Sequence, residues 1–278
     1  MGTLYLVATP IGNLEDITAR ALRILGEVSL IAAEDTRQTR KLLTHFDIHT
    51  PSTSYYEHNK LSKLDKILGA LEAGDVALVS DAGTPALNDP GYELVRAALK
   101  AGHIVSPLPG ACAPIAALVA SGLPTDSFVF LGYLPRKTTE RRQFIGSIER
   151  LPYTLIFLES PHRLVDALAD LETILGDRQM AVARELTKIH EEILRMPIAR
   201  ARRHFDENAP RGEFTLVVEG SHPQETEKWS EPHLMSTIMA GLNRDEASAA
   251  LASRLASESG WERRAVYDLI SMIKNETQ

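Results

Sequence analysis

Only one cysteine, Cys112, occurs in the 278 residues. No internal disulfide can form, and no cysteine pair is available to hold zinc. No apolar run is long enough to cross a bilayer, and no basic-then-apolar leader opens the chain. These absences lead to the expectation of a cytoplasmic protein in a reducing compartment. Several familiar signatures are missing as well. There is no G-x-G-x-x-G after an apolar strand, no G-x-x-x-x-G-K-[ST], no H-E-x-x-H and no G-x-S-x-G. His190-Glu191-Glu192 lacks the second histidine that a zinc helix needs.

What is present is ordinary in bulk and specific in pattern. The chain is 44% hydrophobic and 24% charged, as a globular protein should be, and its length implies two domains. Short apolar runs read as strands at 4–9, 30–35, 76–81 and 103–109, with helical spacing at 16–28, 36–46, 60–74 and 92–102. Asp16 reads as the N-cap of the first helix. Strands alternating with helices predict a largely parallel sheet covered on both faces. The alternation continues with strands at 127–134, 153–160, 179–187, 191–196 and 212–220, separated by helices near 137–150 and 162–176. SGLPTDS (121–127) reads as a hinge and SHPQETEKWSE (221–231) as a linker. The expected organisation is an N-terminal α/β domain over 1–120, a second α/β domain over 121–222 and a helical tail over 232–278.

One stretch is not accounted for by turn-making alone. VALVSDAGTPALNDPG (76–91) runs from a buried strand into a long loop rich in glycine and proline. TPIGN (9–13) and LPGACAP (108–114) follow two other strands of the same predicted sheet. In an open parallel sheet, ligands bind beyond the carboxyl ends of the strands. Glycine admits backbone close to a ligand and proline stiffens a loop in advance. Any one loop fits a plain strand-to-helix turn, but three on one edge point to a polar small-molecule site.

Charge is unevenly spread. Residues 133–211 carry 14 basic and 12 acidic side chains, net +2, against a net of −7 for the whole chain. The basic excess sits in LPRKTTERR (134–142) and ARARRHF (199–205). Such stretches can track a phosphate backbone, with Arg136, Arg141 and Arg142 as its contacts, although each alone also reads as a solvated helix face.

LYLVATPIGNLEDIT, EDTR (34–37), SDAGTPALNDPG, PLPGACAPIAAL, FLGYLPRK, ESPHR (159–163), ARELTKIHEE (183–192) and GEFTLVVEG follow one another along the chain. In this order they resemble the tetrapyrrole-methylase superfamily, and within it the branch that acts on small-subunit ribosomal RNA. The resemblance runs from Leu4 to about Gly220. It implies two α/β domains with the cofactor cleft between them, S-adenosylmethionine as methyl donor, and a homodimer; no metal is expected, because the sequence has no metal-ligand cluster. It also implies methylation of a cytidine ribose 2′-hydroxyl in 16S rRNA. Carried over by position, the donor site comprises Pro10, Ile11, Gly12, Asp81, Gly83, Thr84, Leu87, Cys112, Ala113, Leu158, Ala183 and Phe214. Gly83-Thr84-Pro85 stands where relatives commonly have Gly-Asp-Pro.

Methyl transfer to a hydroxyl needs alignment and a proton acceptor. The polar motifs at strand ends supply catalytic candidates: Glu34, Asp35 and Arg37; Asn59, beside Glu57 and His58; Glu159 and Arg163; Glu185 and Lys188. Carboxylates could take a proton, and Arg or Lys could hold phosphates. Each one alone also fits a salt bridge between domains. The tail segment 244–270 reads as two amphipathic helices around Ser259-Gly260, a helix-turn-helix that could present Arg263 and Arg264 to RNA. Two further readings stay open: a methyltransferase of the same superfamily acting on a tetrapyrrole-like substrate, and a non-catalytic RNA-binding protein.

Overall fold

The computed structural model describes residues 2–221 and 228–276. Five strands, β1 (Thr3–Val7), β2 (Leu30–Ala33), β3 (Ser52–Ser54), β4 (Val76–Val79) and β5 (Ile104–Leu108), form a sheet in the order β3-β2-β4-β1-β5. Every pairing in it is parallel. Crossing between them are α1 (Ala19–Glu27), α2 (Thr36–His45), α3 (Lys60–Ala73) and α4 (Tyr92–Lys100). The central strand shows why the sheet is covered on both faces. Along β4 all four residues are buried, with Ala77 and Val79 packing toward α1 and Val76 and Leu78 toward α3 and α4. A strand with two dry faces reads as a continuous apolar run.

Two details differ from the sequence reading. Asp16 does not cap α1. It ends a 3₁₀ turn, Leu14–Asp16, and Thr18 caps the helix by accepting from the Ala21 N–H at 3.1 Å. The edge strand β3 was not foreseen, because Ser52-Thr53-Ser54 carries no apolar signal; its pairing with β2 holds it in place.

Helix α5 (Ala113–Ser121) follows β5 and leaves the first sheet. Ala117 and Leu118 bury against Ile156, Ala181, Ala183 and Val217 of the second sheet. That sheet contains β6 (Phe128–Tyr133), β7 (Thr154–Glu159), β8 (Gln179–Arg184), β9 (Glu192–Pro197) and β10 (Phe214–Val218), in the order β6-β7-β10-β8-β9. Only β6 and β7 pair in parallel; β10 lies antiparallel between β7 and β8, and β8 and β9 are antiparallel. The second sheet is therefore mixed, unlike the first. The β8–β9 connection is too short for a helical crossover and must return antiparallel. On the opposite face pack α6 (Thr138–Ile148), α7 (Leu164–Leu175) and α8 (Ile198–Glu207), around Phe157, Phe205 and Phe214.

Helix α8 contains the second basic stretch, and α6 most of the first. Arg141 is 4% exposed and its Nε meets Asp170, itself buried, at 2.6 Å; Arg142 takes the other oxygen at 2.6 Å. Arg202 pairs with Glu172 at 2.6 Å. The expectation that Arg141 serves phosphate is corrected: it is a buried structural cation, and burying it unpaired would be costly. Arg136 remains exposed.

Residues Met1–Gly220 form one compact unit and Ser221–Gln278 another. The second holds α9 (Glu231–Leu242), α10 (Ser248–Ser259) and α11 (Arg263–Glu276) around Leu234, Ile238, Leu251, Leu255, Val266 and Ile270. Gly260 ends α10 in the left-handed conformation, φ +68°, a common helix stop. Residues 222–227 of the expected linker lie outside the described residues. No described helix is long and apolar enough to cross a membrane.

Candidate active site

The three Gly/Pro loops meet at the carboxyl edge of the first sheet and are stitched to each other. Thr9 and Gly83 exchange backbone hydrogen bonds, each 2.9 Å. The Thr84 hydroxyl donates to the Ala111 carbonyl at 3.1 Å. Gly83 has φ +81°, and a Cβ there would meet Ile11 at 3.3 Å. The same loop holds Ala86 at φ +66° and Asn88 at φ +64°, a left-handed conformation that an alanine adopts only when its surroundings impose it. Asn88 is held against Gly132, where a Cβ would lie 2.5 Å from the amide nitrogen.

Facing these loops is the edge of the second sheet made by the carboxyl ends of β6, β7 and β8 and the start of β10, and between the two is a cleft of about 840 Å³ including its mouth. Its walls contain nine of the twelve expected donor residues: Ile11, Gly83, Thr84, Leu87, Cys112, Ala113, Leu158, Ala183 and Phe214. The other three lie beside it. Pro10 and Asp81 line a neighbouring groove against α2, and Gly12 an outer groove with residues 185–190. A Cβ on Gly12 would lie 2.4 Å from Lys188 Cγ and 3.0 Å from the Leu186 carbonyl. Glycine there lets the β8–β9 loop cross the first loop. That crossing loop is itself strained, with Glu185 at φ +48° and Thr187 at φ +67°.

The catalytic candidates divide. Glu185 and Lys188 line the cleft and pair at 2.9 Å. Glu34, Asp35 and Asp81 form a loop-to-loop network: the Asp81 N–H donates to Glu34 at 3.2 Å and the Asp35 N–H to Asp81 at 3.0 Å. Asp35 also caps α2 and binds Arg37, which draws its carboxyl down to about 2. Burial raises Glu34 and Asp81. Asn59 closes the turn after β3, accepting from the Tyr56 N–H at 2.8 Å and donating to Ser54 Oγ at 3.1 Å. Glu159 is fully buried and 3.3 Å from Arg163, which donates to the Leu134 and Pro135 carbonyls at 2.6 and 3.1 Å. The pair clamps the segment after β6, and burial raises the Glu159 carboxyl.

The cleft has polar residues that the sequence reading passed over: Asn88, Asp89, Tyr133 and Glu213. Asp89 is the most perturbed. Burial first, then the nearby Glu34 carboxylate, push it up to about 6, against a lowering bond from Ser80; Asp81 and Glu213 add further repulsion. Tyr133 is also raised, by burial and then by Glu213 and Asp89. The available signal for Asp89 was its place in the Gly/Pro loop; its burial depends on the second sheet. Among the described residues no group of three or more His, Cys, Asp or Glu is placed to hold a metal ion.

A cleft of this size, walled by Leu87, Leu158, Leu186 and Phe214 and carrying the carboxylates Asp89, Glu185 and Glu213, suits a polar cofactor-sized molecule carrying positive charge. Comparison with known proteins gives three findings. A family profile described as tetrapyrrole (corrin/porphyrin) methylases matches residues 3–202. The chain is similar to ribosomal RNA small subunit methyltransferase I of Synechocystis sp., 50% identical over 275 residues and 97% of each chain. The protein of that name from Halalkalibacterium halodurans is 49% identical, over 96% of this chain and 94% of its own. Among solved structures, uroporphyrin-III C-methyltransferase from Thermus thermophilus, complexed with S-adenosyl homocysteine, shares the fold. It has a TM-score of 0.53 and 21% identity, over 78% of this chain and 97% of that one.

Proposed function

This chain belongs to the tetrapyrrole methylase family, and from that premise we propose that it transfers a methyl group from S-adenosylmethionine to the 2′-hydroxyl of a cytidine ribose in 16S rRNA of the small ribosomal subunit. The observation that carries the reading is the cleft in which nine residues expected to hold the donor converge. The names of relatives near 50% identity over almost the whole chain support the ribosomal substrate. The bound S-adenosyl homocysteine of the Thermus protein supports the donor. The reading includes no metal, action on cytoplasmic ribosomal particles, a homodimer, and the division into domains 1–120, 121–222 and 232–278.

The reaction forms an O–CH₃ bond and breaks an S–CH₃ bond, so a sulfonium becomes a neutral thioether and the hydroxyl loses its proton. The chain has two tasks. The first is to favour the cation over the neutral product. Asp89 and Glu213 at the cleft do this, Glu185 being offset by Lys188, while Leu87, Leu158, Leu186 and Phe214 keep water away. The second is to remove the proton. Asp89 is the best-suited base: it lines the cleft, and its affinity for a proton, near 6, lies close to working pH. Glu34 and Asp35 are occupied by backbone hydrogen bonds and Glu159 by Arg163; these we read as supports.

The test is methyl transfer from labelled donor, with purified small subunits, free 16S rRNA and tetrapyrrole precursors offered separately. Label in a cytidine of the rRNA, at the ribose, is the expected result. Label only in the tetrapyrrole would replace the reading with the small-molecule alternative, and donor binding without transfer to any acceptor would favour a non-catalytic role.

A further inference from the structure

Helix α2 carries Arg37, Arg40 and Lys41, all exposed, and no acidic residue; Arg37 is held by Asp35 at 2.7 Å, so Arg40 and Lys41 are the cations that α2 offers. Its N-terminus stands at the carboxyl end of β2, beside β3. The Tyr55 N–H donates to the Ala33 carbonyl at 2.7 Å, extending the β2–β3 pairing to the residue before Glu34. Two adjacent tyrosines then diverge. Tyr55 is fully buried in the core under α3 and α4, whereas Tyr56 is 42% exposed. Asn59 and Lys60 both donate to the Tyr56 carbonyl at 2.9 Å, and Asn59 accepts from its N–H, so its backbone is fixed. Exposed His58 lies edge-on to it, ring centroids 6.2 Å apart. Lys41 also lines the groove that runs past Thr9-Pro10 and Ser80-Asp81 to the edge of the donor loops.

Tyr56 follows β3 and α2 follows the paired strand β2, so an outward tyrosine on a fixed backbone and the cations of α2 sit at the same carboxyl edge of the sheet; an exposed aromatic with cations is the combination that binds single-stranded nucleic acid. By contrast, in the stretches that look most basic in the sequence, Arg141, Arg142 and Arg202 are already engaged by Asp170 and Glu172. Resting on the ribosomal RNA reading above, we propose that this face holds the single-stranded RNA flanking the methyl acceptor. Tyr56, braced by His58, stacks on a base, and Arg40 and Lys41 neutralise phosphates. The contact is independent of base identity, because stacking uses the base face and the cations use the backbone.

The test uses the full chain and a fluorescent 12-nucleotide single strand of small-subunit rRNA sequence, titrated from low to moderate salt, with donor affinity measured by calorimetry on the same samples. Tyr56→Ala should weaken RNA binding on the order of tenfold, since stacking is worth about 1–3 kcal/mol per base, and leave the salt slope unchanged. Tyr56→Phe should bind as the parent does. Arg40→Ala with Lys41→Ala should reduce the slope of log affinity against log salt by about 1.4, at roughly 0.7 per phosphate on a single strand. Donor affinity should not change in any of them. Unchanged binding by folded Tyr56→Ala, or an equal loss in Tyr56→Phe, overturns the stacking role; an unchanged slope in the double variant overturns the phosphate role. If the parent chain neither binds this strand nor methylates small subunits, the ribosomal reading itself falls, which is a separate outcome.

Discussion

Asp89→Asn should make the protein more stable and less active at once. Burial and neighbouring carboxylates hold Asp89 at about 6 rather than its ordinary 3.8. Between those two values the folded state binds the proton and the unfolded state does not. The stability this group contributes is therefore complete below about pH 4 and lost as pH rises to about 6; at neutral pH the ionised carboxylate destabilises the fold. At about 1.4 kcal/mol per pH unit the upper bound is roughly 3 kcal/mol, and water reaching the half-buried group reduces this to about 1–2 kcal/mol. Asparagine has the same shape and no charge. The unit containing Asp89 should then melt about 2–8 °C higher than the parent at pH 7.5, at roughly 2–4 °C per kcal/mol for its size, with the difference closing toward pH 4. Methyl transfer should fall about 10²- to 10⁴-fold, the usual contribution of a general base, while parental kcat/KM rises with pH through about 6. Differential scanning calorimetry across pH and single-turnover labelling check the two halves. An Asp89→Asn variant equally stabilised at acidic and neutral pH, or one with full activity, would refute the argument.

Thr84→Trp should fill the cleft floor and break the tie to Ala111, weakening donor binding at least tenfold in calorimetry with an unchanged circular dichroism spectrum. Asp170→Ala should strand Arg141 in the interior and cost about 3–5 kcal/mol in denaturant unfolding; full stability would show that Arg141 escapes to solvent. Gly12→Val should drive the β8–β9 loop from its crossing, since even a Cβ there lies 2.4 Å from Lys188, and expose residues 185–191 to faster hydrogen exchange. A chain ending at residue 221 should retain donor affinity, because every donor loop lies upstream, and lose methylation of assembled subunits; parental activity would leave the tail with no part in substrate placement.

The alternation of apolar runs and helical spacing determined most of the elements, since strands such as Val76–Val79 with two buried faces must be apolar throughout. The three Gly/Pro loops were legible too, because tight strand-to-helix reversals restrict residue choice locally. Other features were decided only in three dimensions. Ser52–Ser54 is a strand because β2 offers it an edge, and β10 is antiparallel because of where β7 and β8 leave space. A run of arginines has the same letters whether it faces water or, as Arg141 does, an aspartate 29 residues away. Asp89 looked like one more polar turn residue. Its proton affinity comes from desolvation and from carboxylates at positions 34, 81 and 213, brought together by folding. Local sequence determines local conformation through short-range sterics and hydrogen bonding, whereas burial and electrostatic environment are sums over neighbours distant in the chain, and only the tertiary structure supplies them.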